Sequence, residues 1–469
     1  MGCQLCLNLW LPDDGVHRLL VFPLSPLSPF SPLPHPLATT SQPNIFPSMP
    51  SPSSFWKSFG PGLLWAGAAI GVSHLVQSTR AGAVAGFGLA GTILLALILK
   101  YPFFEFGSRY AAATGRSLVE GYRDIGRWAV WLYLLLTGTT GVIVQIAVTM
   151  FTAFLFQYVL GVTWPLWMVT TILLAICVGL LRLGHFRVLD GIIKVVLVIL
   201  TLTTLFAAAT ALPRVDFSTV RFLPLDGGRL IVPLGFILAL VGWMPTAIDL
   251  NVWSSLWTLA KDETSGVRTT VAQARLDFRI GYLATGILAF AFLTLGAVVM
   301  HGSGQTFDPR GTVFTVQLIE LYTETLGDWI RPVVVVAALT TMFSTTLTVV
   351  DGVARAIDRT LTVLREDGGP QPGNGATGRY YRTVMLGVAV ITILVVMLFI
   401  GNLTTMVDVA TILSFLIAPI VGWLTLAVVT REGMPLEHRP GWAMRLWCYV
   451  GLGLLGATAV VWLVMKLVG

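Results

Sequence analysis

The chain has 469 residues, of which 55% are apolar and only 11% are charged, and its mean hydropathy is +0.81. Soluble globular domains carry about 25% charged residues, so this composition excludes an ordinary soluble enzyme, and it excludes a disordered chain as well. The net charge of +6 comes from dispersed Lys and Arg residues, which argues against nucleic-acid binding. The composition is typical of a polytopic membrane protein whose surroundings are the lipid bilayer.

The first 54 residues differ in composition from the rest. They hold eleven of the 25 prolines, in an alternation of Pro, Ser and Leu. Such a pattern forms neither a helix nor a packed core, so residues 1–54 are predicted to be a disordered leader. The apolar stretch at 19–22 is too short for an export signal. Met49 is an alternative start, in which case the leader is not part of the native protein.

From residue 59 onward, apolar stretches long enough to cross a bilayer recur with short polar breaks, and they predict an all-α protein of about eleven transmembrane helices. The predicted spans are 59–79, 86–110, 127–159, 163–181, 187–212, 230–257, 279–300, 329–354, 382–401, 404–429 and 444–467. We expect a first five-helix repeat at 55–212, a second at 213–430, and the eleventh helix within 431–469.

The basic residues predict how the spans are oriented, because positive residues near span ends stay in the cytoplasm. With a cytoplasmic N-terminus, the inside loops carry seventeen Lys and Arg residues and the outside loops carry six. The C-terminus is then outside, and the protein is expected in the plasma (inner) membrane. The sequence leaves the oligomeric state open.

The first and sixth spans each contain a polar break, Gly71-Val72-Ser73-His74 and residues 244–249. Interrupted helices at matching positions of two five-helix halves are typical of secondary transporters built from inverted repeats, which bind substrate at the midplane. His74 and Asp249 add ionisable groups at this depth, where such groups usually line pathways. The alternative is structural: Pro245 kinks its helix and Gly71 permits close packing.

The stretch from Phe59 to Ala83 resembles the first span of the Nramp divalent-metal transporters. Shorter matches follow at 113–120, 187–190, 244–245 with 254–256, and 344–348, so the resemblance covers about residues 57–430. It implies a LeuT-type fold of five plus five inverted helices and one extra helix, with spans one and six unwound at the midplane. It also implies import of divalent metal ions, typically coupled to protons.

The sequence departs from that family at its functional motifs. The family's Asp-Pro-Gly-Asn falls on residues 71–74, so Gly71 stands in the place of the metal-binding Asp and His74 in the place of the Asn. The family's Met-Pro-His is here Met244-Pro245-Thr246, and the third span contains no Asp or Glu. The chain is therefore expected to be a divergent member that lacks the usual ligands and the usual proton route.

The residues at the two breaks are the candidates for binding the substrate. Imidazole and thioether ligands suit Mn²⁺ or Fe²⁺, and oxygen ligands suit Mg²⁺. A mixed metal site of His74, Met244 and Asp249 is therefore a hypothesis. The full candidate set is Gly71, Ser73, His74, Met244, Thr246, Asp249 and Asn251.

Other polar residues inside spans are candidates for proton coupling or gating. An imidazole titrates near physiological pH, and a cation near mid-span such as Lys100 must find an anion or act as a tethered charge. Structural pairing is the alternative for several of them. The candidates are His74, Lys100, Glu105, Gln145, Asp351, Arg355 and Asp358.

The leading hypothesis is a secondary-active importer of a divalent cation of the Mn, Fe or Mg class, working by alternating access, with protons as a further candidate substrate. The metal is then cargo, and no resident cofactor is expected. One alternative is a LeuT-fold carrier of an amino acid or another small organic solute, because a site without its own anion suits a carboxylate. Another is a transport-inactive sensor. A membrane enzyme is least favoured, because no catalytic constellation is visible.

Overall fold

The structure is a computed structural model that describes residues 60–183, 186–215, 218, 220–301, 303, 305–365, 378–398 and 402–468, with the backbone alone for 186–197. The predicted leader, residues 1–54, lies outside the described residues. The division into repeats at 55–212, 213–430 and 431–469 stays a prediction.

The described chain is almost entirely helical, with one two-stranded hairpin outside the helices. The helices are α1 (Pro61–Ala69), α2 (Thr79–Ala85), α3 (Ala90–Thr114), α4 (Leu118–Ile125), α5 (Arg127–Leu160), α6 (Leu166–Leu183), α7 (Phe186–Ala211), α8 (Leu234–Gly242), α9 (Leu250–Ser265), α10 (Val271–Val299), α11 (Gly311–Leu326), α12 (Arg331–Arg365), α13 (Tyr381–Leu398), α14 (Leu403–Thr430) and α15 (Trp442–Val468). Strands β1 (Leu225–Asp226) and β2 (Arg229–Leu230) pair antiparallel in the connection between α7 and α8.

The helices reproduce the predicted spans. Within the described residues, eight single helices are long and apolar enough to cross a membrane: α3, α5, α6, α10, α12, α13, α14 and α15. Helix α7 and the two interrupted spans, α1 with α2 and α8 with α9, bring the number to the eleven that were predicted. The third span is long, as expected, because α5 has 34 residues.

Both predicted breaks are present. In the first span, α1 ends at Ala69 and a π-helical turn, Ser73–Ser78, leads into α2. In the sixth span, α8 ends at Gly242 and α9 begins at Leu250, with seven residues between them. Backbone groups freed at such breaks must find partners in the protein or in a cavity, and this requirement shapes the site described below.

Glycines allow the first span to approach its neighbours closely. A Cβ on Gly82 of α2 would lie 2.1 Å from the carbonyl oxygen of Leu293 in α10. A Cβ on Gly296 of α10 would lie 2.1 Å from the carbonyl oxygen of Thr79. Helices in membranes associate through such small-residue contacts, where two backbones touch. The interrupted first span is therefore held directly against α10.

Two helices lie between the predicted spans. Helix α4 begins with a capping box of Ser117 and Glu120, and α11 connects α10 to α12. Helix α12 also extends to Arg365, eleven residues beyond the predicted span end at 354. These segments carry more polar residues than a bilayer-spanning stretch, so hydropathy alone does not separate them from loops.

Candidate functional site

A cavity lies where the two interrupted spans meet α5 and α12. Its empty volume is about 320 Å³. Most of its walls are apolar, and the hydroxyl groups come from Ser73, Thr246 and Thr345. The lining residues are Ala68, Ala69, Val72, Ser73, Val144, Val148, Trp243, Thr246, Ala247, Leu250, Thr345 and Val349. Both breaks therefore face one space, as the inverted-repeat hypothesis requires.

The first break satisfies its own polar groups. The Ser73 hydroxyl donates to the carbonyl oxygen of Ala69. The His74 ring lies between two carbonyl oxygens, with Nδ1 3.1 Å from that of Ala69 and Nε2 2.9 Å from that of Thr285. His74 is fully buried and does not line the cavity. Its position favours a structural tie between the broken helix and α10.

Gly71, which replaces the family's Asp, leaves little space for a side chain. A Cβ at this position would lie 2.8 Å from Cγ2 and 2.9 Å from Oγ1 of Thr345 in α12. The first break is therefore packed against α12 at the point where the resemblance places a metal-binding carboxylate. The only polar lining group that residues 71–74 contribute to this cavity is Ser73.

The second break is held by a buried cation. Nζ of Lys100, in α3, donates to the carbonyl oxygens of Val241 at 3.0 Å, Gly242 at 2.9 Å and Thr246 at 2.9 Å. Lys100 is 1% exposed, and Nζ lies 5.7 Å from the centre of the Phe104 ring. All three donors of the ammonium group are thus used on carbonyls at the end of α8 and in the break.

Asp249 places a carboxylate at the start of α9. One of its oxygens, Oδ2, accepts a hydrogen bond of 2.7 Å from Thr140 of α5. The other, Oδ1, is buried without a hydrogen-bond partner among the described residues. Lys100 attracts Asp249 electrostatically but forms no direct ion pair with it in the described part of the chain. Oδ1 is therefore a hydrogen-bond acceptor without a donor among the described residues, on a carboxylate near the ammonium group of Lys100.

Asp249 lies just below the cavity rather than in its wall. Thr140, its partner, precedes the lining residue Val144 by four positions in α5, which is about 6 Å along a helix. The displacement is towards the start of α5, the end that the basic residues predict to be cytoplasmic. Leu250, the next residue after Asp249, does line the cavity.

A buried polar cluster continues from Asp249 in the same direction. Nδ2 of Asn251 donates to Thr425 in α14 at 2.7 Å, and the Tyr122 hydroxyl lies 3.1 Å from the same Thr425 oxygen. The ring centres of Tyr122 and Tyr133 are 5.3 Å apart, and both hydroxyl groups interact electrostatically with Asp249. Asn251 is therefore part of this polar cluster and does not line the cavity.

The mixed metal site of His74, Met244 and Asp249 stays a prediction, and none of the three lines the cavity. His74 is bonded to carbonyls, Met244 is fully buried outside the cavity lining, and Asp249 lies below the cavity. Within the described ranges, no three His, Cys, Asp or Glu side chains form a group suited to holding a metal ion. Of the three, Asp249 alone combines a charge with an unfilled acceptor.

Above the cavity, on the predicted outer side, an ion pair closes the space between α2 and α14. Arg80 donates to Asp408 through Nη1 at 2.6 Å and Nη2 at 3.1 Å. Gln77 donates to the same carboxylate at 3.3 Å, and Arg80 also lies over the Phe236 ring of α8. We call Arg80, Asp408 and Gln77 the outer latch.

At the end of the molecule opposite the outer latch, the gating candidates Asp351 and Arg355 form an ion pair, and Asp358 binds backbone groups. Asp351 accepts from Arg355, from the Tyr381 hydroxyl at 2.6 Å and from Trp257 at 3.1 Å. Asp358 accepts from the backbone of Gly378 and Tyr380. These bonds tie α12 to α13 and to α9, the inner half of the sixth span.

The remaining coupling candidates have ordinary partners. Glu105 pairs with Arg109 at 3.3 Å and with Arg275 of α10 at 2.7 Å, and it does not pair with Lys100. Gln145 donates to Thr149 one turn away in α5. Since neither residue lines the cavity, their assignment to coupling stays a prediction.

The comparisons with known proteins bear on this geometry. The profile of the family described as natural resistance-associated macrophage protein-like, Nramp, matches residues 62–466. The chain belongs to the Nramp family. Its members are transporters, so an enzyme is excluded, and the resemblance seen in the sequence is confirmed.

Two relatives illustrate how this Nramp protein is related to others. It is 36% identical over 391 residues to an uncharacterized protein of Pasteurella multocida, covering 82% of this chain and 87% of the relative. It is 25% identical over 254 residues to the divalent metal cation transporter MntH of Brucella suis, covering 53% of this chain and 55% of the relative.

Solved structures confirm the LeuT-type fold. A manganese transporter of Eremococcus coleocola, crystallised as the mutant E129A, is similar with a TM-score of 0.67 and 15% identity over 88% of both chains. MhsT in complex with L-phenylalanine is similar with a TM-score of 0.53 and 11% identity, over 86% of this chain and 96% of that one. At these identities the similarity shows the fold alone.

Sequence reasoning missed three features of the site. The outer latch joins residues more than 300 positions apart, Thr140 is one of many threonines in an apolar helix, and the contact of Gly71 with Thr345 depends on how α1 meets α12. Of these residues, only Arg80 could have been identified from the sequence, because it is a charged residue at the end of an interrupted span.

Proposed function

We propose that this Nramp protein is a secondary-active transporter that carries a divalent metal cation inward by alternating access. The observation that carries the proposal is the free Oδ1 of Asp249, a buried carboxylate oxygen directly below a cavity between two broken helices. A divalent cation needs oxygen ligands and at least one negative charge. Asp249 supplies the charge that Gly71 has lost, and Thr246 adds a hydroxyl group in the cavity. The metal is cargo, and no resident cofactor is proposed.

Two related transporters support this choice of cargo. MntH of Brucella suis is a divalent metal cation transporter, and the similar structure from Eremococcus coleocola is a manganese transporter. A partly hydrated cation is the form that best fits a cavity with few ligands of its own, because water completes its coordination shell. We therefore place this protein's cargo in the Mn, Fe or Mg class.

The two ends of the molecule support alternating access. The outer latch joins α2 to α14 at one end, and Asp351 joins α12 to Tyr381 of α13 at the other. In this proposal each set of contacts closes its own end of the pathway in turn. Opening one end at a time would admit the cation from outside and release it past Asp249 and Asn251. With the orientation predicted from the basic residues, the N-terminus is cytoplasmic, the C-terminus is outside and transport is inward across the plasma membrane.

A second function is favoured by one observation. The cavity walls are mostly apolar, and pockets for small organic molecules have this character. MhsT, which shares the fold, was crystallised with L-phenylalanine. An amino acid or a similar solute is therefore the alternative cargo, and competition with divalent cations distinguishes the two.

The test is uptake into proteoliposomes of Mn²⁺, Fe²⁺, Mg²⁺ and Ca²⁺, with and without an inward pH gradient. Wild-type protein is expected to move at least one of the first three, and Asp249→Asn is expected to lower its uptake about tenfold or more, because affinity for the cation depends on ligand charge. The matched control is Asp328→Asn, which makes the same change at a side chain 85% exposed and should leave uptake unchanged.

Two results would contradict the proposal. One is unchanged cation uptake by Asp249→Asn, which would remove this carboxylate from the pathway. The other is the absence of flux for every cation, which would move the search to amino acids. An increase of wild-type uptake with an acidic exterior is the result expected for proton coupling, and independence of the gradient would exclude it.

A further inference from the structure

The ammonium group of Lys100 has an unusual position for a lysine. It lies in the middle of α3, is 1% exposed and uses all three of its donors on backbone carbonyl oxygens. A cation in a membrane interior is costly unless it is fully paired, so a residue of this kind is a functional hypothesis by default. Neither the cargo pathway nor the outer latch uses it.

The carbonyls that bind Lys100 belong to a particular feature of the fold. Val241 and Gly242 are the last two residues of α8, where carbonyls lack the usual bond from four residues on and the helix dipole is negative; that of Val241 also accepts from the backbone N–H of Met244. Thr246 lies in the unwound break. In transporters with broken helices, unwound carbonyls and the C-terminal ends of half-helices are the groups that coordinate a coupling cation.

We infer that Lys100 is a tethered cation that occupies, in this protein, a binding site for a monovalent cation at the second break. Three oxygens at 2.9 to 3.0 Å around Nζ make a shell that also fits a small free cation such as ammonium or K⁺. The Phe104 ring, 5.7 Å from Nζ, adds a cation–π contact, and Asp249 adds a negative charge nearby. A covalently attached charge fills the site in every molecule, so no soluble monovalent ion is required there.

In this inference Lys100 takes the place of a dissolved ion. Without a cation, the carbonyl oxygens of Gly242 and Thr246 would lose their bonds from Nζ beside the carboxylate of Asp249, whereas that of Val241 would keep its bond from the backbone N–H of Met244 at 3.2 Å. Buried acceptors that lose their donor are destabilising. It goes beyond the proposed function, because it concerns the ion at the second break and holds for either cargo. Only the uptake measurement below depends on the cargo.

The experiment empties the site and offers a free cation in its place. Lys100→Ala leaves room for an ion and water, while Lys100→Met fills the space without a charge and Lys100→Arg keeps the charge. Each purified variant is melted in equal concentrations of methylammonium, potassium, sodium or N-methyl-D-glucamine chloride. The last cation is too large for the site and controls for ionic strength.

We expect saturable stabilisation of Lys100→Ala by at least one small cation, because a ligand that binds only the folded state raises its melting temperature with concentration. The melting temperature of wild type should not change between the four salts, and neither should that of Lys100→Met. The melting temperature of Lys100→Arg should be closer to that of wild type than the melting temperature of Lys100→Met is. Since melting requires no cargo, this readout stands even if the proposed metal transport fails.

The second readout separates an ion site from a simple structural cap. In proteoliposomes supplied externally with the cargo that wild type carries, uptake by Lys100→Ala should be about fivefold or more higher in the stabilising cation than in N-methyl-D-glucamine, whereas wild-type uptake should not respond. A Lys100→Ala protein that melts identically in all four salts, or that cannot be recovered in any of them, overturns the inference. Stabilisation without any response of uptake would reduce Lys100 to a cap.

Discussion

The two broken helices meet one cavity, but they solve the same backbone problem in opposite ways. The first break is closed by Ser73 and His74, since the Ser73 hydroxyl bonds to the carbonyl oxygen of Ala69 and Nε2 of His74 lies 2.9 Å from that of Thr285 in α10. Neither side chain is a carboxylate or an ammonium group. The second break is closed by a cation from another helix, Lys100, and carries the carboxylate of Asp249. The carboxylate and the ammonium group therefore both lie at the second break, and the first break has neither.

This difference teaches why the family motif is a poor guide to the site in this chain. The motif places a carboxylate and an amide in the first span, and here those positions hold Gly71 and His74. A carboxylate and an amide are present in the sixth span instead, as Asp249 and Asn251. We therefore expect substitutions at the first break to lower stability and substitutions at the second break to alter transport.

The largest effect at the first break is expected for His74→Ala. The substitution removes a buried ring and takes Nε2 away from the Thr285 carbonyl oxygen, while the Ala69 carbonyl oxygen keeps its bond from Ser73. The loss should be about 3 kcal/mol of unfolding free energy. Thermal melting in detergent measures the loss, and the control is His301→Ala at an exposed position after α10.

The same variant decides between the two interpretations of His74. Cargo uptake per folded molecule should keep its apparent affinity and its pH dependence, because the ring does not line the cavity. A weakened affinity or an altered pH profile with little loss of stability would return His74 to the transport pathway and break the comparison.

A smaller loss is expected for Gly71→Ala. The added Cβ would overlap Cγ2 and Oγ1 of Thr345, and overpacking of this kind costs about 2 kcal/mol. Thr345→Ala removes both atoms, after which the nearest remaining contact is Cβ of residue 345 at 3.3 Å. Gly71→Ala should therefore lower the melting temperature less in the Thr345→Ala background than it does in wild type. Additive losses in this double-mutant cycle would show that the contact does not limit residue 71.

The sequence predicted the fold more fully than the site. Eleven spans and both breaks follow from apolar length and from polar residues at depth, because the bilayer imposes these features on every segment separately. The partners of the polar residues do not follow in this way. The sequence shows Lys100 as a cation near the middle of an apolar span, but it does not indicate the partners of that cation. The carbonyl partners lie 141 to 146 positions away, and only the packing of α3 against the second break brings them together.

The same limit applies to the ion pairs. The spacing of Asp351 and Arg355 predicts a helical pair, and the structure shows this pair. Asp408 and Arg80 meet only because α2 and α14 are neighbours at the outer end. Helices α4 and α11 lie outside the predicted spans because they are too polar or too short for a hydropathy pattern to identify.

The smallest effect is expected at the outer latch, which joins the first broken span to α14 and sharpens the comparison from outside. Asp408→Asn weakens an ion pair whose side chains are 13% and 32% exposed, so the loss of stability should be only about 0.5 kcal/mol. In the proposed mechanism the pair holds the outer end closed, and that small change should increase the fraction of molecules open to the outside about twofold.

Labelling of a cysteine in the cavity measures this shift. Val144→Cys places a small thiol in the lining, and a membrane-impermeant maleimide should react with it about twofold faster when Asp408→Asn is present. The matched control is Asp226→Asn, which removes a charge from a carboxylate 69% exposed in the outer hairpin and should leave the rate unchanged. An equal rate with and without Asp408→Asn would mean that the latch does not hold the outer end closed, and that the remaining contacts of the first span with α10 and α12 keep it in place.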